Sequence, residues 1–286
     1  GRKVGDFLDA ITKNISQNEN EKEDTRLKLA IVGKPNVGKS SIVNCLLGKN
    51  RTIVTPIAGT TRDPIDSVLK FHKEEILLID TAGLRKKSKI KESVEFYSTL
   101  RTIKSIERCN VAVVVLDAEN GLEKQDLYVI ERAVEMKKGI LICVNKWDLV
   151  EKDDKTAIRY EKKLRTILRE YDYLPIMFTS ALTKQRITKI IDATKLVNEE
   201  RGRRVSTTEL NEHFEETFFH SPPSSKTGKD IALKYVTQTK TNPPVFVFFA
   251  NEPKLITENY RRYLERLLRE GFGFAGVPLT LQFRKK

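Results

Sequence analysis

Short apolar runs alternate with amphipathic stretches through most of the chain. The runs cover residues 28–32, 76–79, 111–116, 140–144 and 176–179, lengths that suit buried strands better than helices. Between them lie segments at 40–47, 93–107, 122–137, 157–171 and 188–201 whose apolar positions recur every three or four residues, as on one face of a helix. Strands apolar along their whole length are covered on both faces, and strands alternating with helices pair in parallel. Residues 26–200 therefore predict a doubly wound α/β domain with a mostly parallel sheet.

Past the basic cluster at 201–204 the rhythm changes. A helix at 207–218, strands at 231–239 and 244–250, a helix at 257–269 and a strand at 278–283 give the order α-β-β-α-β. This predicts a small α+β domain over 205–286. Upstream, the polar tract SQNENEKEDT at 16–25 lacks apolar periodicity and reads as a linker over 15–25. Residues 2–12, RKVGDFLDAIT, loosely echo 185–195, QRITKIIDATK, the last helix of the α/β domain. Residues 1–14 thus read as the end of a similar domain lying upstream.

Composition changes the picture in one respect. The 286 residues leave room for two domains, and a hydrophobic content of 39% suffices for ordinary cores. No apolar run approaches the roughly 20 residues that span a membrane, and no segment has the shape of a signal peptide, so no membrane span is expected. Cys45, Cys109 and Cys143 are scattered without a CxxC pair, which suggests a reducing cytoplasm and no cysteine metal site. The net charge of +13 is what stands out. It points to a polyanionic partner such as nucleic acid, a solvated Lys/Glu surface being the alternative. Residues 226–286 carry twelve Lys/Arg against five Asp/Glu, so over half the excess sits in the last fifth of the chain.

The chemistry begins directly after the first apolar run. Gly33, Lys34, Pro35, Asn36, Val37, Gly38, Lys39 and Ser40, followed by Ser41, match GxxxxGK[ST] between a strand and a helix, the context of a phosphate-binding P-loop. The glycines let backbone N–H groups converge on phosphates, Lys39 reaches the β- and γ-phosphates, and the Ser40 hydroxyl suits Mg²⁺. Asp80, Thr81, Ala82 and Gly83 follow the second run. Asp80 would hold Mg²⁺ through a water, and the Gly83 N–H would meet the γ-phosphate. Asn145, Lys146, Trp147 and Asp148 close the fourth run; the Asp148 carboxylate matches the two donors that guanine presents and adenine lacks. Ser180 and Ala181 follow the fifth, placed to bring a backbone N–H to the guanine O6. All these stretches fall at strand C-termini, where open α/β sheets bind ligands. The fold expected is thus a P-loop NTPase G domain binding GTP and GDP. In the loop TPIAGTTRD at 55–63, a threonine would close onto Mg²⁺; Thr60 and Thr61 are both candidates, with Thr61 preferred.

GKPNVGKS, AGTTRD, DTAGL, NKWD and SAL resemble the bacterial GTPases that include Era and the tRNA-modification GTPase MnmE. The resemblance is closer to the Der (EngA) family. DTAGLRKKSKI with ESVEFYSTLRTIKSIERCNV is similar to that family's second G domain, and GFGFAGVPLTLQFRKK to its C-terminus. The likeness implies tandem G domains, the first of them missing upstream in cis, and a KH-like domain over 205–286. It also implies GTP hydrolysis in assembly of the large (50S) ribosomal subunit, with rRNA as a partner. The alternatives are a nucleotide-gated RNA-binding protein in which hydrolysis is incidental, or an Era- or MnmE-like GTPase with another RNA substrate.

Leu84 stands where some GTPases place a glutamine to orient the attacking water, and leucine cannot do so. Potassium-stimulated relatives imply that K⁺, held in part by Asn36, replaces that help; local capping by Asn36 is the other reading. The catalytic set expected is Lys39, Asn36, Thr61 and Gly83, with a slow intrinsic rate. The basic run Arg85, Lys86, Lys87, Lys89 and Lys91 is either a solvated loop or a link between switch, RNA and C-terminal domain. Gly273-Phe274-Ala275-Gly276 spells GxxG, the RNA clamp of KH domains, but lies between a helix and the last strand and reads as a turn. Arg261, Arg262, Arg266 and Arg269 recur at helical spacing, as a basic face or a solvated one.

Overall fold

The computed structural model describes residues 25–49, 66–81, 94–151, 153–224 and 228–285, with 49 and 94–99 described by backbone alone. The first sheet has six strands in the order β2-β3-β1-β4-β5-β6. These are β1 (Leu27–Val32), β2 (Ser67–Phe71), β3 (Glu74–Ile79), β4 (Val111–Asp117), β5 (Gly139–Asn145) and β6 (Ile176–Phe178). β2 runs antiparallel to β3 and the other pairings are parallel. Along β4 and β5 every residue is buried, because helices cover both faces. α1 (Lys39–Lys49) and α5 (Lys189–Gly202) pack Ile42, Leu46, Ile190 and Ile191 on one side. α2 (Val94–Arg108), α3 (Lys124–Glu135) and α4 (Thr156–Ile167) pack Ile106, Ile130 and Leu164 on the other. This is the predicted fold.

β2 has no counterpart among the predicted strands. Its hairpin turns at His72 and Lys73 with φ of +46° and +69°, a conformation that usually advertises itself through Asn or Gly. Without that signal, five residues with one exposed position do not read as a strand.

The second sheet has the order β7-β8-β9: β7 (Leu233–Lys240), β8 (Val245–Ala250) and β9 (Thr280–Lys285). α6 (Thr207–His220) and α7 (Glu258–Phe272) cover one face, where Phe214 meets Phe248 edge-on and Phe248 stacks on Phe283. α6 opens with a capping box between Ser206 and Glu209. From this helix the Asn211 side chain bonds both backbone groups of Val236, donating to the carbonyl at 2.9 Å and accepting from the N–H at 3.0 Å.

The turn at 273–277 does more than reverse the chain. The Ile140 N–H donates to the Gly276 carbonyl and the Gly276 N–H to the Tyr173 carbonyl, each at 2.8 Å. Gly276 thus forms a rung between the start of β5 and the segment leading into β6. Its φ is +74°, and a Cβ there would lie 2.8 Å from the Ile140 oxygen and from Val197 Cγ2, so glycine is required. Around it, Phe274 N–H donates to Glu200 Oε2 at 2.6 Å and Arg203 to the Phe272 carbonyl at 2.9 Å. Arg262 pairs with Glu170 at 3.0 Å, and the Arg269 guanidinium lies 3.6 Å from the Tyr173 ring centre. The C-terminal domain therefore docks on the N-terminal ends of the parallel strands, opposite the motif-bearing loops.

Candidate nucleotide site

The loop after β1 is shaped by its glycines. Gly33 has φ +138°, and a Cβ on it would lie 2.4 Å from the Val115 carbonyl oxygen. Gly38 has φ +96°, and a Cβ there would reach Asn145 Nδ2 at 2.2 Å. Between them Val37 is buried as an anchor while Pro35, Asn36, Ser40 and Ser41 face solvent. Asn36 adopts φ +65°, and its side chain has no hydrogen-bond partner among the described residues, so it does not cap the loop there.

Lys39, in the first turn of α1, donates to the Gly33 carbonyl at 2.8 Å and to that of Lys34. Burial pulls its ammonium down to about 8, against the opposing charge of Asp126. Lys34 pairs with Glu123 at 2.8 Å and with the buried Asp126 at 3.3 Å. Loop amides, the α1 dipole and Lys39 together favour a bound polyphosphate.

The opposite end of the site is built on Asn145. Its side chain donates to the Val37 carbonyl at 2.8 Å and accepts from the Ala181 N–H at 3.0 Å, joining the P-loop, β5 and the segment after β6. Ser180 N–H is used by the Gln185 carbonyl at 3.2 Å, and its hydroxyl accepts from Thr183 N–H at 3.1 Å. A base carbonyl would have to share the Ala181 donor. Lys146, at φ +61°, reaches Asp117 at 2.6 Å. Burial pushes the Asp117 carboxyl up, but the Lys146 and Glu119 hydrogen bonds outweigh it and hold the group below the usual carboxylate range. Trp147 is buried against Phe178 and Tyr160 and fixes the turn. Asp148 follows, half-buried, with Oδ1 enclosed and unpaired. A buried carboxylate oxygen without a donor is costly, and a ligand bearing adjacent N–H groups removes that cost.

The side around Asp80 looks different. Asp80 sits at φ +58° with its carboxylate gripped bidentately by Arg101 at 2.5 Å and approached by Ser105 at 3.3 Å. The Asp80 N–H donates to Asp66, which Arg108 holds from one turn pair further along α2. Thr81 is buried and shares a hydrogen bond with Ser67. The oxygen donors Ser40 and Asp80 fit Mg²⁺ in kind, while in this structure the Asp80 carboxylate is engaged by Arg101. Thr60, Thr61, Ala82, Gly83, Leu84 and the basic run at 85–91 lie outside the described residues.

Arg101, Asp117, Glu123 and Asp126 were not anticipated. Asp117 had a signal, a charged residue ending an otherwise apolar strand; Asp126 had one too, a carboxylate on the apolar face of α3.

The family described as "50S ribosome-binding GTPase" matches residues 28–146, and "KH-domain-like of EngA bacterial GTPase enzymes, C-terminal" matches 204–284. GTPase Der of Chloroherpeton thalassium is 54% identical over the whole chain, and GTPase Der of Chlorobium phaeobacteroides 50% identical. The chain belongs to the GTPase Der family. It spans 66% of the length of these two relatives. A crystal structure of Era in complex with MgGDPNP and 16S ribosomal RNA matches at a TM-score of 0.45 and 22% identity, covering 91% of this chain and 92% of that one; at that score it adds nothing to the assignment. In this Der-family chain the small C-terminal sheet with its helices is the KH-like unit. No helix among the described residues is long and apolar enough to cross a membrane.

Proposed function

We propose that this chain binds GTP with Mg²⁺, hydrolyses it slowly, and acts as a switch in assembly of the large ribosomal subunit in the bacterial cytoplasm. The observation that carries the reading is the enclosed, unpaired Asp148 oxygen beside the Asn145–Ala181 hydrogen bond. It asks for the paired N–H donors of guanine. Ser40, Asp80 and Thr61 would hold Mg²⁺, which supplies charge neutralisation across the β- and γ-phosphate oxygens when bound. Lys39 exchanges its carbonyl partners for phosphate oxygens, and the Gly83 N–H senses the γ-phosphate. With leucine at position 84, Asn36, exposed and without a side-chain hydrogen-bond partner among the described residues, would help hold K⁺. Support for the ribosomal role comes from the "50S ribosome-binding GTPase" description and from relatives named GTPase Der.

The test is a change of base. Asp148→Asn presents an amide donor where the carboxylate accepted, so GTP affinity falls roughly a hundredfold or more, the worth of hydrogen bonds to a charged group, while xanthosine triphosphate gains. Undiminished GTP binding in that variant removes the guanine assignment. Co-sedimentation with large subunits in a GTP analogue but not in GDP supports the switch, and equal co-sedimentation in both argues against it.

A further inference from the structure

Lys34 serves the P-loop in two ways at once. Its backbone carbonyl, with that of Gly33, receives the Lys39 ammonium. Its own ammonium leaves the loop and meets two carboxylates at the start of α3, Glu123 at 2.8 Å and Asp126 at 3.3 Å. The two acids differ in setting. The Glu123 side chain is half exposed, whereas that of Asp126 is wholly buried and that of Lys34 is 11% exposed. Asp126 Oδ2 also accepts from the Glu123 N–H at 3.1 Å, and Oδ1 is enclosed without a partner. Among the described residues, Lys34 is the one cation paired with Asp126.

A helix cap does not need a charge at this position. The bond to the Glu123 N–H asks only for an acceptor oxygen, which asparagine would supply as well. Burying a carboxylate costs stability unless a cation compensates it, so capping alone leaves the charge of Asp126 without a purpose. The loop supplies one. Its second half is anchored by the buried Val37, whose carbonyl accepts from Asn145. Its first half carries the exposed Pro35 and Asn36, and the Lys34 side chain ties that half to α3. Asp126 is also the carboxylate whose charge acts on Lys39.

We propose that Asp126, assisted by Glu123, is a positioning residue of the nucleotide site: by holding Lys34 on α3 it fixes the first half of the P-loop and so sets how long a nucleotide stays bound. The inference rests on the nucleotide-binding reading above. Backbone amides bind phosphate more tightly when the loop that carries them is ordered before the ligand arrives. An ion pair with one partner out of water keeps that order in salt, where an exposed pair is screened. Asp126 touches no ligand in this role; it acts through Lys34.

The experiment follows release of a fluorescent GDP analogue from the full chain in Mg²⁺, with thermal melts alongside. Asp126→Asn keeps the cap acceptor and removes the charge, and release quickens about tenfold. Lys34→Met speeds release by a similar factor and also melts earlier, because it strands the buried carboxylate. Lys34→Arg keeps a cation for both acids and stays within about threefold of the native rate. The double variant Lys34→Met/Asp126→Asn separates positioning from structure. With no charge left unpaired its melt recovers toward the native one, while release stays as fast as in the single variants. A double variant that recovers native release together with the melt makes the pair a structural element only and overturns the proposal. Native release in Asp126→Asn overturns it as well. Should Lys34→Met fail to fold, Asp126→Asn and the double variant still decide. If the wild-type chain retains no guanine nucleotide, the nucleotide-binding reading itself has failed.

Discussion

At the end of the site proposed to take the base, Asn145 already bonds Val37 and Ala181, Trp147 is locked among aromatic rings, and the Asp148 carboxylate has one enclosed oxygen unpaired. At the end proposed to take the phosphates the same kinds of group are engaged by other protein groups. Lys39 bonds the loop's own carbonyls, and Asp80 bonds Arg101. One end is assembled before any ligand arrives; the other must trade partners to receive it. The assembled end also shares β5 with the KH-like domain through Gly276, whereas none of the described interdomain hydrogen bonds or ion pairs involves β2, β3 or α2. A fixed end suits recognition of the base, and a trading end suits reporting on the phosphates.

The largest effect that would separate the ends is Asn145→Ala. It severs the P-loop from Ala181 and leaves a buried carbonyl and N–H unpaired, so nucleotide affinity drops on the order of a hundredfold, a few kcal/mol, measurable by calorimetric titration. A loss under threefold would mean that the base end is not held together by this residue. Gly276→Val comes next. Its side chain cannot fit against Ile140 and Val197, so the rung opens at a cost of about 1–3 kcal/mol. Scanning calorimetry should then resolve two unfolding transitions where a single one is expected of the native chain, with guanine-nucleotide affinity nearly unchanged. Arg101→Gln is milder, since the arginine is half exposed and its pair is partly screened. Freed of its partner, Asp80 lowers the Mg²⁺ needed for half-maximal retention of a fluorescent GDP analogue by a few-fold. No change would show that the ion pair does not compete with the metal.

The smallest effect concerns protons. Burial holds the free Lys39 near 8 instead of 10.5, while a bound phosphate favours the ammonium form. Between those two values binding must therefore take up a proton, and affinity weakens as pH rises through about 8. Titration calorimetry in buffers of different ionisation heat reads this directly: uptake approaching one proton above pH 8, absent in Lys39→Arg.

The assembled end was largely legible in the sequence. Motifs at the ends of apolar strands are fixed by local chain geometry, so Gly33, Gly38, Asn145 and Asp148 fall where spacing puts them. The trading end was legible as a list of residues and not as an arrangement. Nothing in the sequence says that Asp80 bonds Arg101, because 21 residues separate them and several basic residues compete nearby. The α7 arginines taught the same lesson. Their helical spacing was read correctly, but Arg266 and Arg269 pair with Glu270 and Glu265 of the same helix, while Glu170, Tyr173 and Phe283 reach Arg262, Arg269 and Arg261 from other elements, and those partners decide whether a charge is free.

Asn211 has a consequence for how the KH-like domain assembles. By filling both hydrogen-bonding positions of Val236, it acts as a single rung of a missing neighbour strand. β7 is irregular on either side, with shifts in pairing between Leu233 and Tyr235 and between Gln238 and Lys240. In such a strand a slip of one residue would exchange the Phe248-facing side chains for Tyr235 and Thr237. A slipped β7 would forfeit both amide bonds at once, so Asn211 works as a register key, checking the alignment of a strand 25 residues away along the chain.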